Sequence, residues 1–438
     1  MCSRVVAVLL VGAMTQVSCG SGPGPGALPA RIRAASGVVE IREPDDALTY
    51  VHAGPGDVLD LGRTGAVWFW EHRRNRRYSW SRRGRRILLN GRLYGLDLTG
   101  SSPRRAATML ERHQRVVRMV LLDTDRCADL VGVLRLVPRL HLGLVSKTRE
   151  LPNLSALRRL ARNLVGLSVE ESTLTPDAWA ALGTLRALEA LSLRGTNLGQ
   201  AALEVLAGLP ALVSLDVSST GLDDSGLARL SRTRSLRRLS LAATLVTDAG
   251  IEHLAALPRI TRLDLSRTRI TDFALGWLQE LETLRELDLS DTSVTDLGLE
   301  LVAALAGLTV LRLGPHVSDV GLRHVAALRQ LRVLALRRAA VTDEGLARLS
   351  GLSRLISLDL AWTEVSDHGL RHLRGLTRLR RLDLSRTRVT GAGLRHLRFA
   401  QELRFLALRW TPLRRSALSQ LVGLPGLRVV DLAGTPWQ

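Results

Sequence analysis

The chain has a single lysine, Lys147, so arginine supplies the other 60 of its 61 basic residues. The formal net charge is +20. Such an excess suits an anionic partner or surface. A coding preference for arginine codons would leave the same imbalance. Cysteine is scarce too, with Cys2, Cys19 and Cys127. No pair has metal-ligand spacing, and no disulfide framework follows. The motifs of chemistry are missing: no nucleophile–base–acid set, Walker loop, glycine-rich nucleotide fingerprint or HExxH. The sequence therefore predicts no enzyme, no cofactor, no metal and no small-molecule substrate.

What is present is a period. A Leu-x-Leu-like core recurs at Leu167, Leu191, Leu215, Leu239, Leu263, Leu287, Leu311, Leu334, Leu358, Leu382, Leu406 and Val430. Every step is 24 residues except Leu311 to Leu334, which is 23. A fixed period of this size predicts a solenoid. Each copy carries apolar residues three before the core leucine, at it and two after it, as in Leu379, Leu382 and Leu384. The last two point the same way from a short strand. A branched residue follows (Val246, Ile270, Val294, Val389), then usually Thr-Asp, as in Thr247-Asp248, Thr271-Asp272 and Thr342-Asp343. Threonine is a good helix N-cap, and an acid in the first turn suits the dipole. Leucines at helical spacing come next. One strand and one short helix cannot bury such a set alone, whereas stacked copies can.

The pattern resembles the leucine-rich repeat, L-x-x-L-x-L-x-x-N-x-L. Twelve copies cover residues 164–438. The V-T-D-x-G-L phrase resembles the bacterial and cysteine-containing-type repeats. The resemblance implies an α/β fold, a horseshoe solenoid with a parallel concave sheet and helices outside. One departure is plain. Where the family has asparagine, this chain mostly has threonine, as at Thr196, Thr220, Thr268, Thr387 and Thr411. In the family that side chain bonds neighbouring backbone along a ladder, and a hydroxyl offers fewer donors than an amide.

Ahead of the repeats, residues 1–18 read as an export signal. Arg4 is followed by an apolar run, Val5 to Met14, too short to span a bilayer. Val17-Ser18-Cys19 resembles a bacterial lipobox with Cys19 as the lipidated residue, although Gln16 departs from the usual leucine. Residues 19–26 read as a flexible tether. Residues 27–112 read as a small β-rich basic region, with a hairpin around Asn90-Gly91. There Trp68, Trp70, Tyr78 and Trp80 interleave with Arg73, Arg74, Arg76, Arg77, Arg82, Arg83, Arg85 and Arg86. Such a cluster fits an anionic envelope surface, or nucleic acid if the chain stays inside the cell. It fits equally a solvated basic loop between strands. Residues 113–163 read as irregular leading repeats, with Val116, Met119, Leu121, Leu140 and Leu142 at repeat-like spacing.

Strand positions alternating with the core leucines should face the concave sheet in columns. One column holds Asp216, Asp264, Asp288, Asp359, Asp383 and Asp431; a second holds Arg238, Arg262, Arg381 and Phe405. A third, four residues past the core leucine, holds Arg267, Asp291, Arg338, Trp362, Arg386 and Trp410. These columns are either a self-neutralised solvated face or a docking face. Tryptophan and arginine dominate binding hot spots, so Trp362, Arg386 and Trp410, with Arg338, Arg381, Asp359, Asp383 and Phe405, are the candidate partner site. His253, His324, His372 and His396 share one helical position and read as repeat consensus rather than metal ligands. The expectation is an exported, lipid-anchored scaffold of the cell envelope that binds a protein on its concave face. The alternative is an intracellular repeat protein gripping nucleic acid or an anionic polymer through residues 73–86.

Overall fold

The computed structural model describes the chain from 154 to 435, save 415–416, 422–423 and 425. Ahead of that it describes 34–35, 38–39, 80–83, 86–89, 92–98, 101–113, 117, 119–123, 127–145 and 150–151. Two compact units are present: Tyr50–Thr292, and Met1–Thr49 with Ser293–Gln438. Both are built as leucine-rich-repeat solenoid, with a parallel sheet on one side and short helices on the other.

In the Tyr50–Thr292 unit the described strands begin antiparallel, with Trp80–Arg83 on Arg86–Leu89. Strands Arg86–Leu89 and Arg92–Asp97 pair antiparallel, and Leu89 faces Arg92 across the two residues Asn90-Gly91. Arg92–Asp97 then pairs parallel with Met119–Asp123, so the sheet changes from antiparallel to parallel there. From that strand onward each neighbour is parallel, and the register is kept save for one irregularity at Leu140/His141. Leu96, Val120, Leu142, Leu167, Leu191, Leu215, Leu239, Leu263 and Leu287 fall in one row. The row therefore continues back through the irregular stretch, where Val120 and Leu142 stand in for the missing signature. Val116 lies outside the described residues.

The other unit has the same construction within itself. Leu311, Leu334, Leu358, Leu382, Leu406 and Val430 form one row, and the 23-residue step leaves register intact. The residue lost comes from the link between strands, not from the strand. A one-residue slip within a strand would turn its leucines to the wrong face.

The apolar triplet makes the core in both units. Leu284, Leu287 and Leu289 are buried, as are Leu379, Leu382 and Leu384. Fully burying such a side chain is worth roughly 1.5–3 kcal/mol. The outer segments are α-helical in some repeats, as in Asp224–Leu230 and Asp343–Leu349, and 3-10 in others, as in Gly369–Gly375 and Ala392–Phe399. The expected helix is thus often tighter and shorter than an α-helix.

Candidate docking face

Where an aspartate follows the core leucine, the strand ends in a turn built by two side chains. The aspartate after the core leucine accepts the backbone N–H two residues on. Asp216 takes Ser218, Asp264 takes Ser266, Asp359 takes Ala361 and Asp383 takes Ser385, at 2.9–3.0 Å. The threonine five past the leucine donates its hydroxyl to the carbonyl three residues back. Thr196, Thr220, Thr268, Thr387 and Thr411 all do this at 2.6–2.7 Å. That explains threonine in the asparagine position. Its one donor closes its own repeat's turn instead of reaching the next repeat. Thr435 is different, donating to Leu408 of the preceding repeat at 2.7 Å.

The ladder between repeats is carried elsewhere, by the Thr-Asp pair. Asp319 accepts the backbone N–H and hydroxyl of Thr342 in the next repeat, at 2.9 and 2.6 Å. Asp224 does the same for Thr247, and Asp248 for Thr271. Asp343 takes Ser366, and Asp367 takes Thr390. Thr342 also caps its own helix, accepting from Glu344 N at 3.3 Å. The glycine two positions after this aspartate has a packing reason. A Cβ on Gly250, Gly321, Gly345 or Gly369 would collide with the preceding repeat's aspartate oxygen. The sequence reading found the cap and missed the cross-repeat bond, because a string of residues does not say whose carboxylate sits beside whose hydroxyl.

Between these two anchors lies the turn residue that carries the candidate site. Ser219, Ala243, Arg267, Asp291, Arg338, Trp362, Arg386 and Trp410 all have left-handed φ between 53° and 65°. Gly195 and Gly434 hold the same position in other repeats. Trp362 and Arg386 sit three residues past the strands Ser357–Asp359 and Arg381–Asp383. The expectation that they stand on the strand face is therefore corrected. They project from the turn at the strand's C-terminal end, because the aspartate turn has already bent the chain.

Within this column the structure brings the predicted residues together. Arg386 lies over both indoles, 4.1 Å from the Trp362 centroid and 5.1 Å from that of Trp410. Arg338 covers Trp362 at 5.3 Å. The order is Arg338, Trp362, Arg386, Trp410, and the far side of the Trp410 ring rests against Gly434, where a Cβ would overlap it. Trp362 is 40% exposed and Trp410 57%. Cation–π contacts at exposed sites are worth about 0.5–1 kcal/mol each.

The remaining predicted members behave differently. Phe405 is buried under Arg381, whose guanidinium stands 4.7 Å from its centroid, so it supports the face rather than meeting a partner. Asp359 is half-buried, and burial first, then the Asp383 charge, pushes its carboxyl up to about 6. With its Ala361 bond it is a turn-maker first. Of the predicted contact residues, the exposed ones are thus the two tryptophans with Arg338 and Arg386.

Elsewhere the predictions meet less. Arg82, Arg83 and Arg86 lie on paired strands; Arg73, Arg74, Arg76, Arg77, Arg85 and Cys19 lie outside the described residues. Three of the four column histidines, His324, His372 and His396, sit beside arginines, and His253 sits beside Glu252. Arg323 Nε donates to His324 at 3.0 Å and Arg371 Nε to His372 at 3.1 Å. A neighbouring guanidinium opposes a second cation there. A group missed from the sequence is Glu170, in the Tyr50–Thr292 unit. Ser168 and Ser192 donate to its Oε1 at 2.9 and 3.2 Å, and burial pushes its carboxyl up to about 7. Close by, burial and then Arg139 hold His141 down at about 4.

A scaffold of stacked strand–turn–helix units with a solvent-facing aromatic and basic column has the architecture of a leucine-rich-repeat protein. The family model described as Leucine rich repeat matches residues 234–314. Among solved structures, an internalin from Listeria monocytogenes str. 4b F2365 is similar at 20% identity. The match covers 64% of this chain and 84% of that one, with a TM-score of 0.48. Internalin C2 of the same strain is similar at 22% identity, covering 59% and 93%, with a TM-score of 0.37. No curated protein sequence matches. No helix among the described residues is long and apolar enough to cross a membrane.

Proposed function

We propose that this protein is a non-enzymatic scaffold of the cell envelope that docks another protein through the Arg338–Trp362–Arg386–Trp410 column. The observation that carries the reading is the exposed pair of indoles held in line by a guanidinium between them. A left-handed turn position favours glycine, and a bulky side chain there is unfavourable by roughly 1 kcal/mol. Gly195 and Gly434 meet the backbone requirement without a side chain. Tryptophan at this position in two of three consecutive repeats therefore has no backbone rationale, and a recognition role supplies one. Stacking also removes the entropy these side chains would otherwise lose on binding, which favours tight association. The envelope location rests on the export-like N-terminal stretch and Cys19.

The test is capture of partners from a native envelope extract by the immobilised protein. Trp362→Ala and Trp410→Ala should each weaken capture by about 2 kcal/mol or more, while leaving the fold intact. Arg76→Ala with Arg77→Ala should leave capture unchanged. The reverse pattern, with capture lost through the arginine stretch and untouched by either tryptophan change, would move the function to the N-terminal region.

A further inference from the structure

A second surface lies on the helix side of the Ser293–Gln438 unit. Segments Asp343–Leu349, Gly369–Gly375 and Ala392–Phe399 pack side by side. The last two read G-L-R-H-L-R-G and A-G-L-R-H-L-R-F. From His368 to Leu382, and from Leu384 to Gln401, the sequence holds no carboxylate. Most acidic groups of these repeats are engaged elsewhere, with Glu344 exposed in the first turn of Asp343–Leu349. Asp343 bonds Ser366, Asp367 bonds Thr390 and Gly393, Glu364 pairs with Arg388, and Glu402 pairs with Arg380. Among the described residues no ion pair joins Arg371, Arg374, Arg395 or Arg398, and all four are exposed.

The cluster turns its donors on itself. Arg371 points Nε at His372. His396 has a guanidinium at each ring nitrogen, Arg374 at Nδ1 (2.8 Å) and Arg395 at Nε2 (3.4 Å). A guanidinium only donates, and a neutral imidazole accepts at one nitrogen, so one of these contacts is unfavourable as it stands. Burial and the surrounding arginines hold the His396 ring below its ordinary value. An arriving anion would give both guanidiniums an acceptor and relieve the repulsion. At the same height stands Phe399, 46% exposed, with Arg374 and Arg398 at 5.6 and 6.0 Å from its ring.

We infer that this outer face is a docking surface for an anionic lipid leaflet, with Arg371, Arg374, Arg395 and Arg398 meeting headgroup phosphates and Phe399 entering the interface between them. The exposed ring decides for a bilayer over another polyanion. Anionic lipids diffuse to match any spacing of charges, and the layer beneath them accepts an apolar group. The surface is separate from the tryptophan column and does not depend on the docking role given to that column.

Co-sedimentation of the full chain with phosphatidylcholine vesicles, with and without phosphatidylglycerol, tests this. Binding should require phosphatidylglycerol and fall with salt. Changing Arg371, Arg374, Arg395 and Arg398 together to Gln should weaken it about tenfold or more. Should that variant fail to fold, Arg371→Gln and Arg398→Gln singly should each weaken it about twofold or more. Phe399→Ser should weaken vesicle binding while leaving binding of single-stranded DNA unchanged. Wild-type vesicle affinity in the arginine variants overturns the inference. Indifference of vesicle binding to Phe399→Ser, with DNA outcompeting the vesicles, overturns it in favour of a nucleic-acid surface.

Discussion

Leu287 and Arg388 mark the two extremes of what one residue does in this chain. Leu287 is 0% exposed and sits in the leucine row between Leu263 and its own repeat's turn. Truncation to alanine should be destabilising by about 2–5 kcal/mol. Arg388 reaches Glu364 at 3.1 Å, but both side chains are largely in water. Such pairs contribute little, so Arg388→Ala should shift stability by no more than roughly 0.5 kcal/mol. Coincident thermal melts of the two variants would refute the assigned register. At this scale the core was legible from spacing alone, because an aliphatic residue, nearly always leucine, recurs three before, at and two after the core position in all twelve copies. Phe405 was not. It occupies a position that holds arginine in other repeats, and only the neighbouring Arg381 reveals that its ring is covered.

Glu170 gives a residue-scale prediction with a definite sign. Its folded pKa, about 7, lies above the ordinary glutamate value. Between those values the native state binds more protons than the unfolded chain, so its contribution to stability falls as pH rises through 7. His141 acts oppositely. Its folded value near 4 lies below the ordinary one, so its contribution rises with pH up to about 6.5. The two oppose each other at acid pH and separate above it. Melting temperatures at about pH 6.5 and 8.5 should therefore decline with pH in the native protein. Glu170→Gln should flatten that decline and raise the value at the higher pH. An unchanged slope would mean that water solvates the carboxylate and that burial does not control it.

The turn and the short helix are held by bonds that alternate in reach: Thr387-type hydroxyls close a repeat, and Asp319-type carboxylates join it to the next. The sequence displayed both columns but not their partners. A threonine before an aspartate is equally consistent with a cap and with a cross-repeat donor, and here it is both. The D-x-G-L glycine is where the distinction can be measured. Gly→Ala inside an exposed helix normally gains about 1 kcal/mol. At Gly345 the added methyl meets the Asp319 carboxylate, so Gly345→Ala should instead destabilise. Combined with Asp319→Ala, the penalty should shrink, giving a coupling of about 1 kcal/mol or more in a double-mutant cycle. Additive effects would show that the glycine answers to something other than the inter-repeat bond, such as the nearby Leu322 and Val341 side chains.

At the scale of the whole molecule the sequence resolved the repeat array well and its attachment least. Periodicity is a property many residues share, so twelve copies outvote any irregular one, and even the 23-residue step left the strand row in register. Attachment rests on single features. Cys19 follows one short apolar run, and the outer arginine cluster shows its lack of counter-charge only when the repeats are stacked. Under the proposed anchoring, the two would make separable contributions to membrane binding. An acyl chain on Cys19 would hold through apolar burial, which salt does not weaken. The arginine face would hold through charge, which salt screens within about 8–10 Å at physiological strength. Native protein should therefore stay with membranes through a high-salt wash. Cys19→Ala should block acylation and leave protein that sediments with membranes at low salt and is released at high salt. Adding the Arg371, Arg374, Arg395 and Arg398 changes should put it in the soluble fraction at any salt. Retention of Cys19→Ala protein through the wash, or recovery of mature chain still starting at Met1, would refute acylation at Cys19 as the anchor.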